Sequence, residues 1–194
     1  MKTEYDVYLA DIRAKLGDYR YRHSLCVAES ARELALRYGD DPERAYVAGL
    51  LHDVLKEQPK EEALAFFKSH GVALTPVERC APKLWHAMAG ALYLEETYRL
   101  SPEQILAVRY HTTGRENMTL PEKVLFVADF ISADRDYPGV EGMRKRAGVS
   151  LEYAMLEGLR FTVYELSERG AAIHPDTVAC YNQIVLSERN AYGK

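Results

Sequence analysis

The stretch GLLHDVLKEQPK, residues 49–60, places His52 and Asp53 side by side in an apolar segment. Their apolar neighbours are Leu50, Leu51, Val54 and Leu55. A helical segment this apolar is expected to be buried, and burying a carboxylate without a partner costs several kcal/mol. The stretch therefore predicts a buried helix in which something neutralises the His-Asp pair.

The composition is that of a globular protein. The chain has 194 residues, of which 47% are hydrophobic and 28% charged, enough for one sizeable core. Its net charge of -4 argues against general nucleic-acid binding, which needs a basic surface.

The cysteines and the chain start indicate the compartment. Cys26, Cys80 and Cys180 are far apart and form no C-x-x-C pair, which argues against a zinc ribbon and favours a reducing compartment. The first 19 residues, MKTEYDVYLADIRAKLGDY, lack the apolar run of a signal peptide. No segment approaches the roughly 20 apolar residues of a membrane span. We expect a cytoplasmic protein without a membrane anchor.

Apolar residues recur at helical spacing along nearly the whole chain. The first helix is expected to present Tyr5, Leu9, Ile12 and Leu16 on one face. Gly17 and Asp18 should end it, and a longer helix over about 19–38 should stop at Gly39.

A third helix is predicted to begin after Asp41, with Pro42 in its first turn, and to run through the His-Asp pair to about Leu55. A shorter helix within 58–71 should end at Gly71.

Three capping boxes then predict further helix starts. They are Thr75 with Glu78, Ser101 with Gln104, and Thr119 with Glu122.

The run VLFVADFI, residues 124–131, is the one plausible strand, but its capped start and internal aspartate favour a buried helix. Polar loops are predicted over 111–119 and 132–142, and two more helices over about 150–169 and 175–190. We therefore predict an all-α protein, a helical bundle forming a single domain over residues 1–194.

Two histidines and two aspartates are predicted to point into this bundle. His23 shares a helix face with Val27, Ala31 and Leu34, and Asp129 lies within the apolar run just described. Structural interpretations exist for each: a histidine can bond a carbonyl, and Asp53 can pair with Lys56. One divalent metal explains all four residues together, because it neutralises the carboxylates and uses the imidazole lone pairs. A shell of His23, His52, Asp53 and Asp129 suits iron or manganese and tolerates zinc, nickel or cobalt.

The order H…HD…D resembles the HD-domain superfamily of metal-dependent phosphohydrolases. The stretches WHAMAG, HTTGR, ADFISADRDYPG and HPDT, over about residues 18–190, make the chain similar to the YqeK-type branch of that superfamily. The resemblance implies an all-helical HD domain and symmetrical cleavage of diadenosine tetraphosphate into two ADP, with iron as the expected metal in one or two ions.

The resemblance also implies roles for individual residues. His23, His52, Asp53 and Asp129 match the metal ligands. Asp53, His86 and His111 are the expected catalytic residues: Asp53 to accept a proton from water, and the two histidines to donate to developing charge. The expected substrate contacts are His86, His111, Thr112, Thr113, Arg115, Arg135, Ile173 and His174.

Two alternatives stay open. The first is another HD phosphohydrolase, acting on a dNTP, a nucleoside monophosphate or a guanosine alarmone. The second is a nucleotide-sensing regulator with slow turnover.

The expected partners are a dinucleoside polyphosphate and ADP. A homodimer is left open, because no helix has a clean exposed apolar stripe. Contacts of Lys56, Trp85 and the tyrosines with substrate are also left open.

Overall fold

The computed structural model describes residues 5–192, with side chains up to residue 187. Within this range the protein consists of α-helices and one short 3-10 helix, Pro82–Leu84, without a β-strand. The helices are α1 (Asp6–Lys15), α2 (Asp18–Tyr38), α3 (Pro42–Leu51), α4 (Lys60–Ser69), α5 (Pro76–Cys80), α6 (Trp85–Thr97), α7 (Pro102–Tyr110), α8 (Leu120–Ile131), α9 (Val140–Ala147), α10 (Leu151–Glu168) and α11 (Pro175–Tyr192). The prediction of an all-α fold is confirmed.

Local sequence signals set the ends of several helices. The Asp41 side chain accepts from the amides of Glu43 and Arg44, which fixes the start of α3. Each predicted capping box has both of its reciprocal contacts, and α5, α7 and α8 follow them. Gly39 ends α2 with a φ of 80°, a left-handed conformation that favours glycine.

The predicted end of α3 was wrong. The helix stops at Leu51 instead of Leu55, and the His-Asp pair lies in the turns that follow. The carbonyl oxygen of Gly49 accepts a hydrogen bond from Nδ1 of His52 at 2.7 Å. Beyond this point the backbone bonds run three residues back, as from Lys56 to Asp53, so the chain leaves the α-helix.

The loop predicted over 132–142 is shorter than expected. Gly139, with a φ of 99°, ends it, and α9 begins at Val140. The basic run at 144–148 lies in the last turn and C-cap of α9, where cations interact favourably with the helix dipole.

One glycine lets two helices approach closely enough to build a site. A Cβ on Gly49 would lie 2.6 Å from the Cα of Ala28, so α3 can pack this closely on α2 only with glycine at 49. The contact brings the rings of His23, on α2, and His52, just after α3, to 5.3 Å between centroids.

Helix α8 lies among helices from both halves of the chain: it packs against α2, α3 and α7, and also against α9 and α10. Its residues Val124–Ala128 are buried in the hydrophobic core, so it is the buried helix predicted for this run. The packing fixes Asp129 beside α2. Among the described residues, none of the helices combines the length and hydropathy needed to span a bilayer.

Candidate functional site

Six histidine and aspartate side chains from five parts of the chain meet at the centre of the bundle. They are His23 on α2, His52 and Asp53 after α3, His86 in the first turn of α6, His111 directly after α7, and Asp129 on α8. All but Asp129 are at most 6% exposed. These six residues are called the His-Asp cluster below.

Three of the imidazoles are oriented in the same way. In each, Nδ1 bonds the backbone carbonyl three residues earlier, at 2.7 to 2.8 Å. The pairs are His52 with Gly49, His86 with Lys83, and His111 with Val108. Because a carbonyl only accepts, Nδ1 carries the proton in all three rings. The neutral form of each ring therefore presents the Nε2 lone pair to the cluster.

Asp53 is the anion at one side of the cluster. Its Oδ1 lies 3.0 Å from Nε2 of His86 and 3.6 Å from Nε2 of His111. Two cations approach the same carboxylate: the Lys56 ammonium at 3.3 Å from Oδ1 and the Arg20 guanidinium at 3.4 Å from Oδ2. Both cations line the outer edge of the cluster.

Asp129 is the anion at the other side. Its Oδ1 lies 3.0 Å from Nε2 of His23 and 2.5 Å from Nη2 of Arg135. His52 lies between the two aspartates, with Nε2 at 3.6 Å from Asp53 and 3.9 Å from Asp129.

The environment sets the protonation of these groups. Burial lowers the pKa of His52 and of His86 to about 4. Burial alone would raise the pKa of Asp53 and Asp129, but the neighbouring imidazoles, and Arg135 beside Asp129, hold both well below the ordinary value. At neutral pH the aspartates are charged and His52 and His86 are neutral, the forms in which these residues bind metals.

The cluster fits a divalent metal. The Nε2 of His52 is buried and has no hydrogen-bond partner among the described residues. The Nε2 atoms of His86 and His111 lie only 3.1 Å apart, and in the neutral rings both are acceptors. A cation between such acceptors stabilises their close approach. Two groups have suitably spaced donor atoms: His23, His52 and Asp129 form one, and His52, Asp53 and His111 form the other.

A cavity of about 930 Å³ opens beside His86. Five of the described residues that line it are Lys or Arg, and one is an acid. These are Arg20, Lys56, Lys60, Lys83 and Arg169, against Glu57. Apolar side chains also line it, among them Leu55, Ala63, Pro82, Leu84, Trp85 and Leu166. The positive charge is local, since the whole chain carries -4.

Glu78 holds two walls of this cavity together. Its carbonyl accepts from Nε1 of Trp85 at 2.7 Å, and its Oε1 lies 3.7 Å from Nε2 of His174 and 3.6 Å from the Arg109 guanidinium. Trp85 and His174 both line the cavity. Trp85 is therefore a wall fixed by packing and a hydrogen bond.

The remaining residues predicted to contact substrate do not all lie at the cavity beside His86. Thr112 lines the cavity, and Thr113 is buried with an Oγ1 that lacks a hydrogen-bond partner among the described residues. Arg115 lies elsewhere: it lines a separate cavity of about 260 Å³, and its guanidinium bonds both carboxylate oxygens of Glu122 at 2.6 and 2.8 Å. The described residues that line the cavity beside His86 do not include Ile173.

Three residues that lie at the site were not among the metal ligands, catalytic residues and substrate contacts predicted from the sequence. Arg20 lies three residues before His23 on α2, so helical spacing could have indicated its shared face. A contact of Lys56 with substrate was left open by the sequence, and its ammonium nitrogen lies 3.3 Å from Oδ1 of Asp53. Asp134 lies 2.8 Å from Nδ1 of His23, and no spacing rule for loops could have placed it.

The chain matches known proteins over this site. The sequence model of the family described as "HD domain" matches residues 20–134, a span that contains the whole His-Asp cluster. A Bacillus subtilis (strain 168) protein named "Bis(5'-nucleosyl)-tetraphosphatase, symmetrical" is 38% identical over 178 residues, covering 91% of this chain and 95% of that protein. A Halalkalibacterium halodurans protein of the same name is 36% identical over 179 residues, covering 92% and 95%.

A solved structure has the same fold. It is a Clostridium acetobutylicum protein described as a predicted HD superfamily hydrolase involved in NAD metabolism. The TM-score is 0.91 at 31% sequence identity, with 96% of this chain and 100% of that chain covered. The helical bundle that builds the cluster is therefore common to this chain and that HD hydrolase.

Proposed function

Because the chain belongs to the HD-domain family, with relatives named as symmetrical tetraphosphatases, we propose that it hydrolyses diadenosine tetraphosphate into two ADP. One observation carries the proposal: the buried His-Asp cluster adjoins, through His86, a cavity that five Lys or Arg side chains line. The substrate is a chain of anionic phosphates between two nucleosides, which matches a metal centre beside positive charge.

HD domains bind divalent metals, and this cluster has the donors to hold one. We infer that His23, His52, Asp53 and Asp129 hold the first ion, and that His111 and His86 contribute to a second. Such metals supply Lewis-acid activation of water and of the phosphoryl group. Iron is the proposed ion because a mixed nitrogen and carboxylate set with several ligands suits it.

Elemental analysis after anaerobic purification tests the metal. We expect a transition ion, and reconstitution with iron should give the highest activity among iron, manganese, cobalt, nickel and zinc. A metal bound only by the native state stabilises it by about 4 kcal/mol at a thousandfold excess over Kd. For a chain of this length this raises the melting temperature by roughly 8–16 °C. An unchanged melting curve after verified removal of metal would contradict the assignment.

The proposed roles of the residues follow from their positions. Asp53 stays ionised at neutral pH and can accept a proton from the attacking water through an oxygen that is not bound to metal. His86 lies where the cluster meets the cavity, and Nε2 of His111 is 3.1 Å from its Nε2, so a leaving phosphate would develop charge beside this pair. Lys56 and Arg20 face the same point and can neutralise the phosphate chain.

The cavity supports a place for one ADP-sized half of the substrate. Its apolar side chains, among them Trp85 and Leu166, suit a base, and its cations suit the phosphates between base and cluster. Thr112 and His174 are proposed contacts there, and Arg135 neutralises charge beside Asp129. Arg115 pairs with Glu122, and Ile173 is not among the described residues that line the cavity, so neither is a proposed contact.

Product analysis tests the activity. The enzyme is incubated with diadenosine tetraphosphate, dNTPs, nucleoside monophosphates and guanosine alarmones, and the products are separated by chromatography. ADP alone, from the first substrate, is the expected result. A nucleoside with inorganic phosphate would indicate another HD phosphohydrolase, and binding without turnover would indicate a sensor. Asp53→Ala should abolish the activity.

Two further expectations belong to this proposal. We propose that the chain acts as one domain, because α8 packs against helices from both halves of the sequence around one hydrophobic core. Limited proteolysis should then give no stable fragment before global unfolding. The cytoplasmic location remains a prediction, which cell fractionation can test.

A further inference from the structure

His23 differs from the other three histidines of the cluster in the partner of its Nδ1. In those three, Nδ1 bonds a neutral backbone carbonyl three residues earlier. In His23, Nδ1 lies 2.8 Å from Oδ2 of Asp134, a carboxylate 111 positions away in sequence. His23 is 1% exposed, so this contact is shielded from solvent.

Asp134 is itself held in place. Its other oxygen, Oδ1, accepts from the hydroxyl of Ser132 at 2.7 Å, and the Ser132 residue is fully buried. The side chain of Asp134 is only 10% exposed. The carboxylate therefore has a fixed position, with one oxygen on Ser132 and the other on His23.

The same loop also fixes the opposite side of the His23 site. Arg135, the next residue, donates from Nε to the Asp129 carbonyl at 2.8 Å and from Nη2 to Oδ1 of Asp129. Nε2 of His23 faces that same Oδ1 at 3.0 Å. The segment 132–135, directly after α8, thus positions both His23 and Asp129.

We propose that Asp134 is a positioning residue of the metal centre. Resting on the proposed function, the inference is that Asp134 accepts the Nδ1 proton of His23, so that the Nε2 lone pair points at the metal. A carboxylate acceptor also makes the imidazole a stronger donor than a carbonyl acceptor does. Outer partners of this kind typically change metal affinity by about 10–100-fold.

The test measures metal affinity rather than activity. Mn²⁺ is titrated into metal-free protein, and the free ion is followed by its electron paramagnetic resonance signal. Asp134→Ala should weaken Mn²⁺ binding by about 10–100-fold. Asp134→Asn, of the same size but uncharged, should weaken it less. The matched control is Asp136→Asn, the same change at an exposed position of the same loop, which should bind as the wild type does.

Thermal melting of the metal-free variants separates positioning from folding. If Asp134→Ala does not fold, the decision rests on Asp134→Asn and on the visible absorption of its Co²⁺ form, which should shift because His23 donates more weakly. Wild-type affinity and an unchanged Co²⁺ spectrum in the folded Asp134 variants would overturn this inference alone. Absence of metal binding by the wild type would overturn the metal centre of the proposed function as well.

Discussion

The ammonium nitrogen of Lys56 lies 3.0 Å from Nε2 of His86 and 3.3 Å from Oδ1 of Asp53. Lys56 can therefore donate to an imidazole lone pair and neutralise a buried carboxylate at the same time. Its side chain is still 26% exposed, and it lines the cavity. The sequence left open whether Lys56 contacts substrate, and this position favours a contact with a phosphate over a fully solvated side chain.

Lys56→Ala should lower kcat by about 100-fold, the usual cost of removing one donor that stabilises developing charge. Metal content should stay near that of the wild type, because Lys56 carries no ligand atom for a cation. Steady-state kinetics and elemental analysis of the same sample check both. The matched control is Lys68→Ala, an exposed lysine on α4, which should leave kcat unchanged. Equal kcat values for both variants would show that Lys56 is a solvated lysine without a role in catalysis.

Arg115→Ala should affect stability more than catalysis. Its guanidinium pairs with Glu122, which is fully buried, so the substitution leaves a buried carboxylate without its cation. Breaking such a pair costs about 3 kcal/mol, the low end of the usual range because Arg115 is partly exposed. The expected fall in melting temperature is roughly 6–12 °C. Loss of kcat/KM at an unchanged melting temperature would instead support a contact with substrate.

The elements with local signals were predictable. Asp41, the three capping boxes and Gly39 determine helix ends through contacts within a few residues, and the structure confirms each of them. The inward face of His23 followed from the 3.6-residue period, and the inward position of Asp129 followed from the apolar run around it. Such signals depend only on neighbouring residues, so a single sequence contains them.

Other contacts were not predictable by the same means. Helix α3 ends one turn before its apolar periodicity does, where Nδ1 of His52 bonds the carbonyl of Gly49. Asp134 meets His23 across 111 positions, and Arg115 meets Glu122 instead of the cavity. These partners depend on how loops pack in three dimensions, which helical periodicity does not describe.

The metal-free protein should lose stability as the pH falls below 6.5. Burial lowers the folded-state pKa of His52 and of His86 to about 4, whereas the unfolded value is 6.5. Between these values the unfolded chain binds more protons, so each pH unit costs up to about 1.4 kcal/mol per histidine. Contacts with Asp129 outweigh burial and raise the pKa of His23, so its contribution is already complete below 6.5 and does not offset the loss.

Thermal melting of chelator-treated protein from about pH 7 to about pH 5 measures this effect. The melting temperature should fall steadily over that range. In His86→Gln the slope should be smaller, because one of the two histidines no longer titrates. A melting temperature that is constant or rises towards pH 5 would show that His52 and His86 are not held neutral by burial.

The position of bond cleavage follows from the place of one substrate half in the cavity. We expect a nucleoside against Trp85 and its phosphates along Lys56 and Arg20, which all line the cavity, with the second phosphate from that nucleoside, a central one, next to the His-Asp cluster. Water should therefore attack a central phosphorus, and the other ADP should leave. In oxygen-18 water, half of the ADP formed should carry one label, in its terminal phosphate, as mass spectrometry of the products can show. AMP and ATP as first products, or label in the phosphate next to the nucleoside, would mean that the substrate lies in the cavity in another register.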